Sequence, residues 1–242
     1  MNLKTHSPYG LDIIENCVLC PHRSDRLFCD LSPEALKDLT AVTSSSSYPK
    51  GAVLFVEGQD PTGTFILCSG VVKLSTYSNF GKTLISRFVN SGEILGVAAS
   101  ISGNPYVVTA EVHEPSAVKF IRRGDFVTFL ANHPEATLQA ARQLADNYFA
   151  ALSELQNIGM SHSAEEKLAR FILNWESNHA EARKGNRLVI SLTHEEIANT
   201  IGASRETVTR LLSAFRNKRL LKTSGSTFTI VNRPALEKII AS

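Results

Sequence analysis

Residues 193–219 read THEEIANTIGASRETVTRLLSAFRNKR, and this stretch decides the fold. Thr193 followed by Glu196 is a capping box, in which each residue satisfies a free backbone N–H of the other, so a helix is predicted to start at His194. Ile197, Ala198 and Ile201 give that helix one apolar face. Gly202 stops it, because glycine enters the turn conformation that other residues resist. Ser204 then caps a second helix, whose apolar positions Val208, Leu211, Leu212 and Phe215 recur at i, i+3, i+4 and i+7. Two helices across a tight glycine turn make a helix-turn-helix unit.

The positions left on the outer face of the second helix are Arg205, Glu206, Thr209, Arg210 and Ser213. In such a unit the first turns of the second helix meet base edges in the major groove. Arginine donates two hydrogen bonds to guanine O6 and N7, and glutamate accepts from cytosine N4. A lone acid within a basic cluster repels a phosphate backbone but discriminates sequence at a base edge. Arg216, Lys218, Arg219 and Lys222 are then left for phosphates, where they set affinity and salt dependence. An ordinary charged surface on a small helical domain is the plainer alternative.

Charge is distributed to match. Residues 164–242 carry 13 Lys+Arg and 8 Asp+Glu, a net of +5, whereas the rest of the chain has a net of −3. The basic block belongs to the C-terminal part alone and points to a polyanion partner there. With 242 residues, 43% apolar and 20% charged, the chain suits two packed domains and is neither disordered nor fibrous. No apolar run approaches the roughly 18 residues that cross a bilayer, and the N-terminus lacks the apolar core of a secretory signal. Four cysteines without an export signal suggest a reducing cytoplasm.

Four stretches are expected: a cysteine-bearing arm over 1–30, a sensor domain over 31–132, a dimerisation helix over 133–160 and a DNA-binding domain over 161–242. Ser32 and Pro33 open a short helix as N-cap and first helical residue. The serine run 44–47 reads as a connector or edge strand. Short β-rich runs follow at 53–56, 65–68, 71–74, 83–89, 107–112 and 117–121, separated by turn residues, which indicates an antiparallel sandwich or barrel. From about residue 124 the period becomes helical, with a break at Pro134. In the long segment 135–158, Leu138, Ala141, Ala145, Tyr148, Leu152 and Leu155 alternate spacings of three and four, the seam of a two-helix coiled coil. A helix packed on its own domain shows the same spacing. Residues 165–175 form an amphipathic helix, 180–186 a loop, 188–190 a strand, and 220–231 a hairpin turning at Ser224-Gly225.

The run Gly202-Ala203-Ser204-Arg205-Glu206-Thr207-Val208-Thr209-Arg210, preceded by Thr193-His194-Glu195-Glu196-Ile197-Ala198, resembles the Crp/Fnr superfamily of transcriptional regulators. The resemblance covers about residues 15–240 and includes Glu57-Gly58 and Ser69-Gly70-Val71-Val72-Lys73. It implies an α+β protein: an N-terminal antiparallel, jelly-roll-like β-roll, a long dimerisation helix and a C-terminal winged helix-turn-helix. By that similarity the chain is a homodimer on a palindromic double-stranded operator and a partner of RNA polymerase, with no enzymatic activity. Arg205, Glu206, Thr209 and Arg210 read bases; Thr193, Ser204, Arg216, Lys218 and Arg219 hold phosphates. Arg205 matches the cyclic AMP branch, while Thr209 stands where the oxygen-sensing branch usually has serine.

The family's nucleotide pocket takes a glutamate just after a glycine and an arginine for the phosphate. Here Gly96 precedes Val97-Ala98-Ala99, and no Lys or Arg occurs between Arg87 and Lys119. A buried phosphodiester without a cation is costly to desolvate, so a cyclic nucleotide is not expected, although a cyclic-nucleotide-binding signalling module is the alternative function. Glu93 matches a structural turn. Cys17, Cys20 and Cys29 resemble the N-terminal cluster of the oxygen-sensing branch, which ligates a [4Fe–4S] cluster through four thiolates. The position of the fourth falls at Lys119, leaving Cys68 as an unusual candidate. Zinc, a redox disulfide, or plain thiols (three in a flexible arm and Cys68 a small core residue) are the other readings. No cofactor is certain. A cupin-like metal enzyme needs several histidines in the β region, which holds only His113.

Overall fold

The computed structural model describes residues 5–6, 9–78, 81–159, 163–178, 183–184, 187–189, 192–224 and 227–240, and the chain divides into two compact units, residues 1–152 and 153–242. In the first unit, strands β1 (Thr5–His6) and β2 (Asp12–Ile13) pair, and three single 3-10 turns follow at Cys17–Leu19, Arg23–Asp25 and Leu27–Cys29. Helix α1 (Pro33–Val42) starts as expected, with Ser32 Oγ accepting from the Ala35 N–H and proline at the first position. Then come β3 (Thr43–Tyr48), β4 (Val53–Phe55), β5 (Gly63–Tyr77), β6 (Thr83–Val89), β7 (Ile94–Leu95), α2 (Val97–Ser102), β8 (Thr109–Arg122), α3 (Arg123–Asn132) and α4 (Pro134–Gly159). The main sheet is antiparallel in the order β3-β8-β5-β6; β4 also pairs with β8 and β7 with β5. The serine run is therefore the edge strand.

Two expected breaks are not breaks. Residues 65–68 and 71–74 belong to one 15-residue strand, and 107–112 and 117–121 fall largely within one 14-residue partner. Ser69-Gly70 is a bulge, at which the β5–β8 register slips three times between Leu67 and Val72. Gly70 has φ +90, and a Cβ there would run into the Pro115 carbonyl and Ser116, so the glycine serves close strand approach and a bend. The short helix α2, the strand β7 and the C-terminal helix Arg233–Ile240 are not announced by the sequence pattern; α2 has only six residues, too few to show a period.

The sheet has two packed faces. Inside the roll, Phe55, Phe65, Leu67, Val72, Val89, Leu95, Tyr106 and Val112 form one core. On the other side, Ile66 and Ile121 pack with Phe28 and Cys17 of the N-terminal segment, Leu36 and Leu39 of α1, Phe126 of α3, and Ala136 and Ala140 of α4. The N-terminal segment is thus docked rather than a loose arm: the Cys17 N–H donates to Thr40 Oγ1, and Lys119, 4% exposed, donates to the Glu15 carbonyl at 2.6 Å and to Ser45 Oγ at 3.1 Å.

Helix α4 lies on this core through Ala136, Gln139, Ala140 and Gln143. The Gln143 amide accepts from the Ile94 N–H at 2.9 Å and donates to the Ile94 carbonyl at 2.6 Å, so it acts as a further strand residue beside β7. Leu138, Ala141, Ala145, Tyr148 and Leu152 consequently face outward and are exposed, with Leu138 at 53% and Tyr148 at 60%. Leu155 is on the same helix, but its side chain lies outside the described residues.

The second unit consists of α5 (Ala164–Asn178), β9 (Arg183–Lys184), β10 (Arg187–Val189), α6 (His194–Ile201), α7 (Arg205–Asn217), β11 (Leu221–Ser224), β12 (Thr227–Ile230) and α8 (Arg233–Ile240). Its small antiparallel sheet has the order β11-β12-β10-β9. Of the loop expected over 180–186, residues 183–184 are strand β9 and the others lie outside the described residues, as do the hairpin turn residues 225–226. No helix among the described residues is long and apolar enough to cross a membrane.

Gln143→Ala leaves a buried N–H and a buried carbonyl at Ile94 without partners. It is expected to destabilise the protein by about 2–3 kcal/mol, read as a lower urea midpoint.

Candidate nucleic-acid interface

Local chemistry sets both helices of the expected unit. Thr193 Oγ1 accepts from the Glu196 N–H at 3.1 Å and Glu196 Oε2 accepts from the Thr193 N–H at 2.9 Å, which closes the capping box. Gly202 ends α6 in the left-handed region (φ 66, ψ 36), its N–H on the Ala198 carbonyl. Ser204 Oγ accepts from the Thr207 N–H at 3.2 Å and starts α7. Ile197, Ala198 and Ile201 of α6 face inward with Val208, Leu212 and Phe215 of α7, whereas Leu211 is only half-buried. Leu168, Ala169, Ile172 and Trp175 of α5 are buried in the same unit.

That packing leaves Arg205, Glu206, Thr209 and Arg210 exposed on one side of α7. Glu206 is held below the usual carboxylate range by its own backbone N–H, the Ser204 hydroxyl and the neighbouring Arg205, so it is an ionised acceptor. Arg216 in the last turn of α7, and Lys218, Arg219 and Lys222 past its end, are exposed. Lys218 pairs with Glu165 at 2.8 Å, an exposed pair that a phosphate can replace at small cost. Arg219 has φ 57, the one positive φ outside glycine among the described residues, and it redirects the chain into β11. Strands β11 and β12 form the expected hairpin beside α7. Thr193 and Ser204, expected at phosphates, have hydroxyls already used in the caps: Thr193 also donates to Glu196 Oε2, and Ser204 Oγ lies 3.1 Å from Thr207 Oγ1.

One residue of this surface was missed by sequence reasoning. His194, first in α6 and exposed, places Nδ1 2.9 Å from Thr209 Oγ1 on α7. The crossing of the two helices brings them together, and nothing in the spacing of 15 residues announces it.

The first unit holds two further places of interest. Inside the roll, Phe55 and Tyr106 stack with centroids 4.0 Å apart, and the Tyr106 hydroxyl donates to the Gly63 carbonyl at 2.6 Å while accepting from the Gly63 N–H at 3.3 Å. Glu93 accepts from the Asn90 N–H and pairs with Arg87 at 2.6 Å, which fits its expected place in a turn. His113 is buried edge-on to Phe88.

The second place collects the thiols. Burial raises Cys29 from an ordinary 9.0 to about 12, with Cys68, Cys17 and Cys20 adding repulsion; burial raises Cys68 to about 11, against the opposing pull of Lys119. The structure thus sets Cys68 in one neighbourhood with the three N-terminal cysteines and with Lys119. As they stand they do not form a cage: among the described residues no three of His, Cys, Asp or Glu are gathered as a metal site.

Two family models match the chain: a cyclic nucleotide-binding domain over residues 45–133 and a Crp-like helix-turn-helix domain over residues 166–239. The fumarate and nitrate reduction regulatory protein of Vibrio cholerae is 27% identical over 191 residues, spanning 78% of this chain and 76% of that protein. A CRP-like cAMP-activated global transcriptional regulator of Mycobacterium tuberculosis is 24% identical over 213 residues, 88% of this chain and 95% of that one. Among solved structures, FixK2 from Bradyrhizobium japonicum superposes with a TM-score of 0.74 at 20% identity, covering 83% of this chain and 98% of its own.

Proposed function

We propose, from the premise that this chain belongs to the Crp/Fnr family of DNA-binding transcriptional regulators, that it acts in the cytoplasm as a homodimer on a palindromic operator and regulates by binding, without catalysis. The observation that carries this reading is the exposed set Arg205, Glu206, Thr209 and Arg210 on the first turns of a capped helix. The outward stripe of Leu138, Ala141, Ala145, Tyr148 and Leu152 supports a second copy as the partner of α4. A two-fold pair offers two copies of α7 to half-sites about one helical turn apart, roughly 34–36 Å. Arg216, Lys218 and Arg219 supply the salt-dependent phosphate contacts, and bound dimers meet RNA polymerase on the promoter.

Arg210→Ala is expected to weaken operator binding roughly tenfold to a hundredfold and to relax the preference at one base pair. Lys218→Ala should weaken specific and random duplexes alike and lower the slope of log affinity against log salt by about 1. Fluorescence anisotropy across a salt series reads both, and equal loss on both duplexes for both variants would remove the base-reading assignment.

The regulator proposed here takes a signal other than a cyclic nucleotide. No arginine or lysine stands between Arg87 and Lys119 to meet a phosphodiester, Glu93 is tied to Arg87, and the Tyr106 hydroxyl is tied to Gly63. Calorimetry with cyclic AMP and cyclic GMP is expected to show no binding heat; saturable heat refutes this.

A second reading concerns the signal and rests on the shared neighbourhood of the four thiols. Cys17, Cys20, Cys29 and Cys68 would be the ligands if a [4Fe–4S] cluster is resident, a group that supplies redox or oxygen sensitivity. The side chains do not stand as a cage, so loading has to be measured directly. Anaerobically purified protein is expected to contain iron and sulfide with visible absorption that Cys68→Ser abolishes; colourless protein free of iron and zinc ends this reading and leaves the regulator intact.

A further inference from the structure

The hydroxyl of Thr209 has one proton and gives it to the Arg205 carbonyl one turn back, at 2.9 Å. The contact with His194 Nδ1, also 2.9 Å from that oxygen, is therefore a hydrogen bond with the proton on the histidine side. Oγ1 donates to its own helix and accepts from the other, so two hydrogen bonds from different elements fix its rotamer. Ser213, one turn further along the same ridge, likewise turns its hydroxyl back, to the Thr209 carbonyl at 3.0 Å. Arg205, Glu206 and Arg210 are exposed on the same helix. Among these exposed readers, Thr209 is the one whose polar atom is engaged at both ends and whose remaining group is a methyl.

A methyl in the major groove has one complementary group among the base edges, the C5-methyl of thymine, whereas a free threonine hydroxyl pairs with donors and acceptors alike. We infer that His194 is a positioning residue of the reading surface: by holding the Thr209 hydroxyl it commits Thr209 to apolar recognition of a thymine methyl. The inference rests on the DNA-reading role proposed above and adds to it the base class read at one position and a residue on the other helix that decides it. His194 and Thr209 then act as a unit, and their substitutions are non-additive.

The test uses full-length protein and a palindrome recovered by selection from random-sequence duplexes. Each thymine of the half-site is replaced singly by deoxyuridine, which removes the C5-methyl and nothing else, and affinity is measured at fixed salt. At one thymine per half-site the loss is expected to be roughly three- to fivefold, the worth of one buried methyl. His194→Ala should reduce that discrimination to less than half, with an unchanged thermal midpoint. His194→Asn, whose amide N–H stands in for that of Nδ1, should restore it. Thr209→Ser, which keeps the hydroxyl and deletes the methyl, should erase it, and this variant decides the matter should His194→Ala fold poorly. A palindrome with a flat deoxyuridine scan, or a methyl effect that survives His194→Ala, overturns the inference while leaving the regulator reading intact. Failure to select any palindrome overturns both.

Discussion

A side-chain amide that occupies both the N–H and the C=O of Ile94 fixes the rotation of a 26-residue helix. Such a bidentate contact has a single angular solution, and Ala136 and Ala140 allow the helix to approach closely enough to make it. Once Gln143 faces the sheet, the positions between it cannot. Leu138, Ala141, Ala145, Tyr148 and Leu152 are turned outward as a matter of helical geometry. The same residue therefore satisfies buried backbone groups and decides which face of α4 is free to meet a partner. The N-terminal cysteine segment enters this arrangement through Phe28, which shares a core with Phe126, Ala136 and Ala140, so Cys17, Cys29 and the helix belong to one core.

In the second unit the governing interactions are short-range. Thr193 with Glu196, Gly202, and Ser204 with Thr207 each act over four residues or fewer, and together they place both helices. For that reason they were legible: a capping box and a glycine stop are written in consecutive letters. The apolar spacing of α7 and the exposed ridge opposite it were legible for the same reason. The seam of α4 was readable as a stripe, but its alternative, packing on its own domain, could be decided only by seeing that Gln143 and the alanines occupy the inner face.

Long-range relations were not legible. Ser69-Gly70 looks like a turn because a glycine after a short apolar run usually ends a strand; here the glycine permits a bulge against Pro115, more than forty residues away in the chain. The pairing of His194 with Thr209 depends on a helix crossing, and the stacking of Tyr106 on Phe55 on the closure of the roll. Lys119 shows the same limit. From its place in the sequence it was only a missing thiol; in the folded chain it is a buried ammonium that ties the Glu15 carbonyl and Ser45 to β8 and stands beside Cys68.

Arg219 joins α7 to the hairpin with a φ of 57, in the region where an L-residue with a Cβ is disfavoured by about 1–2 kcal/mol. Glycine would adopt that angle without strain, and a folded domain is held by only about 5–15 kcal/mol in total. At this one joint, thermal robustness and positive charge are set against each other: relaxing the backbone means surrendering a cation next to the end of α7. A search for hardier versions of the molecule by stability alone would converge on this position and, in doing so, strip charge from the surface proposed to meet nucleic acid.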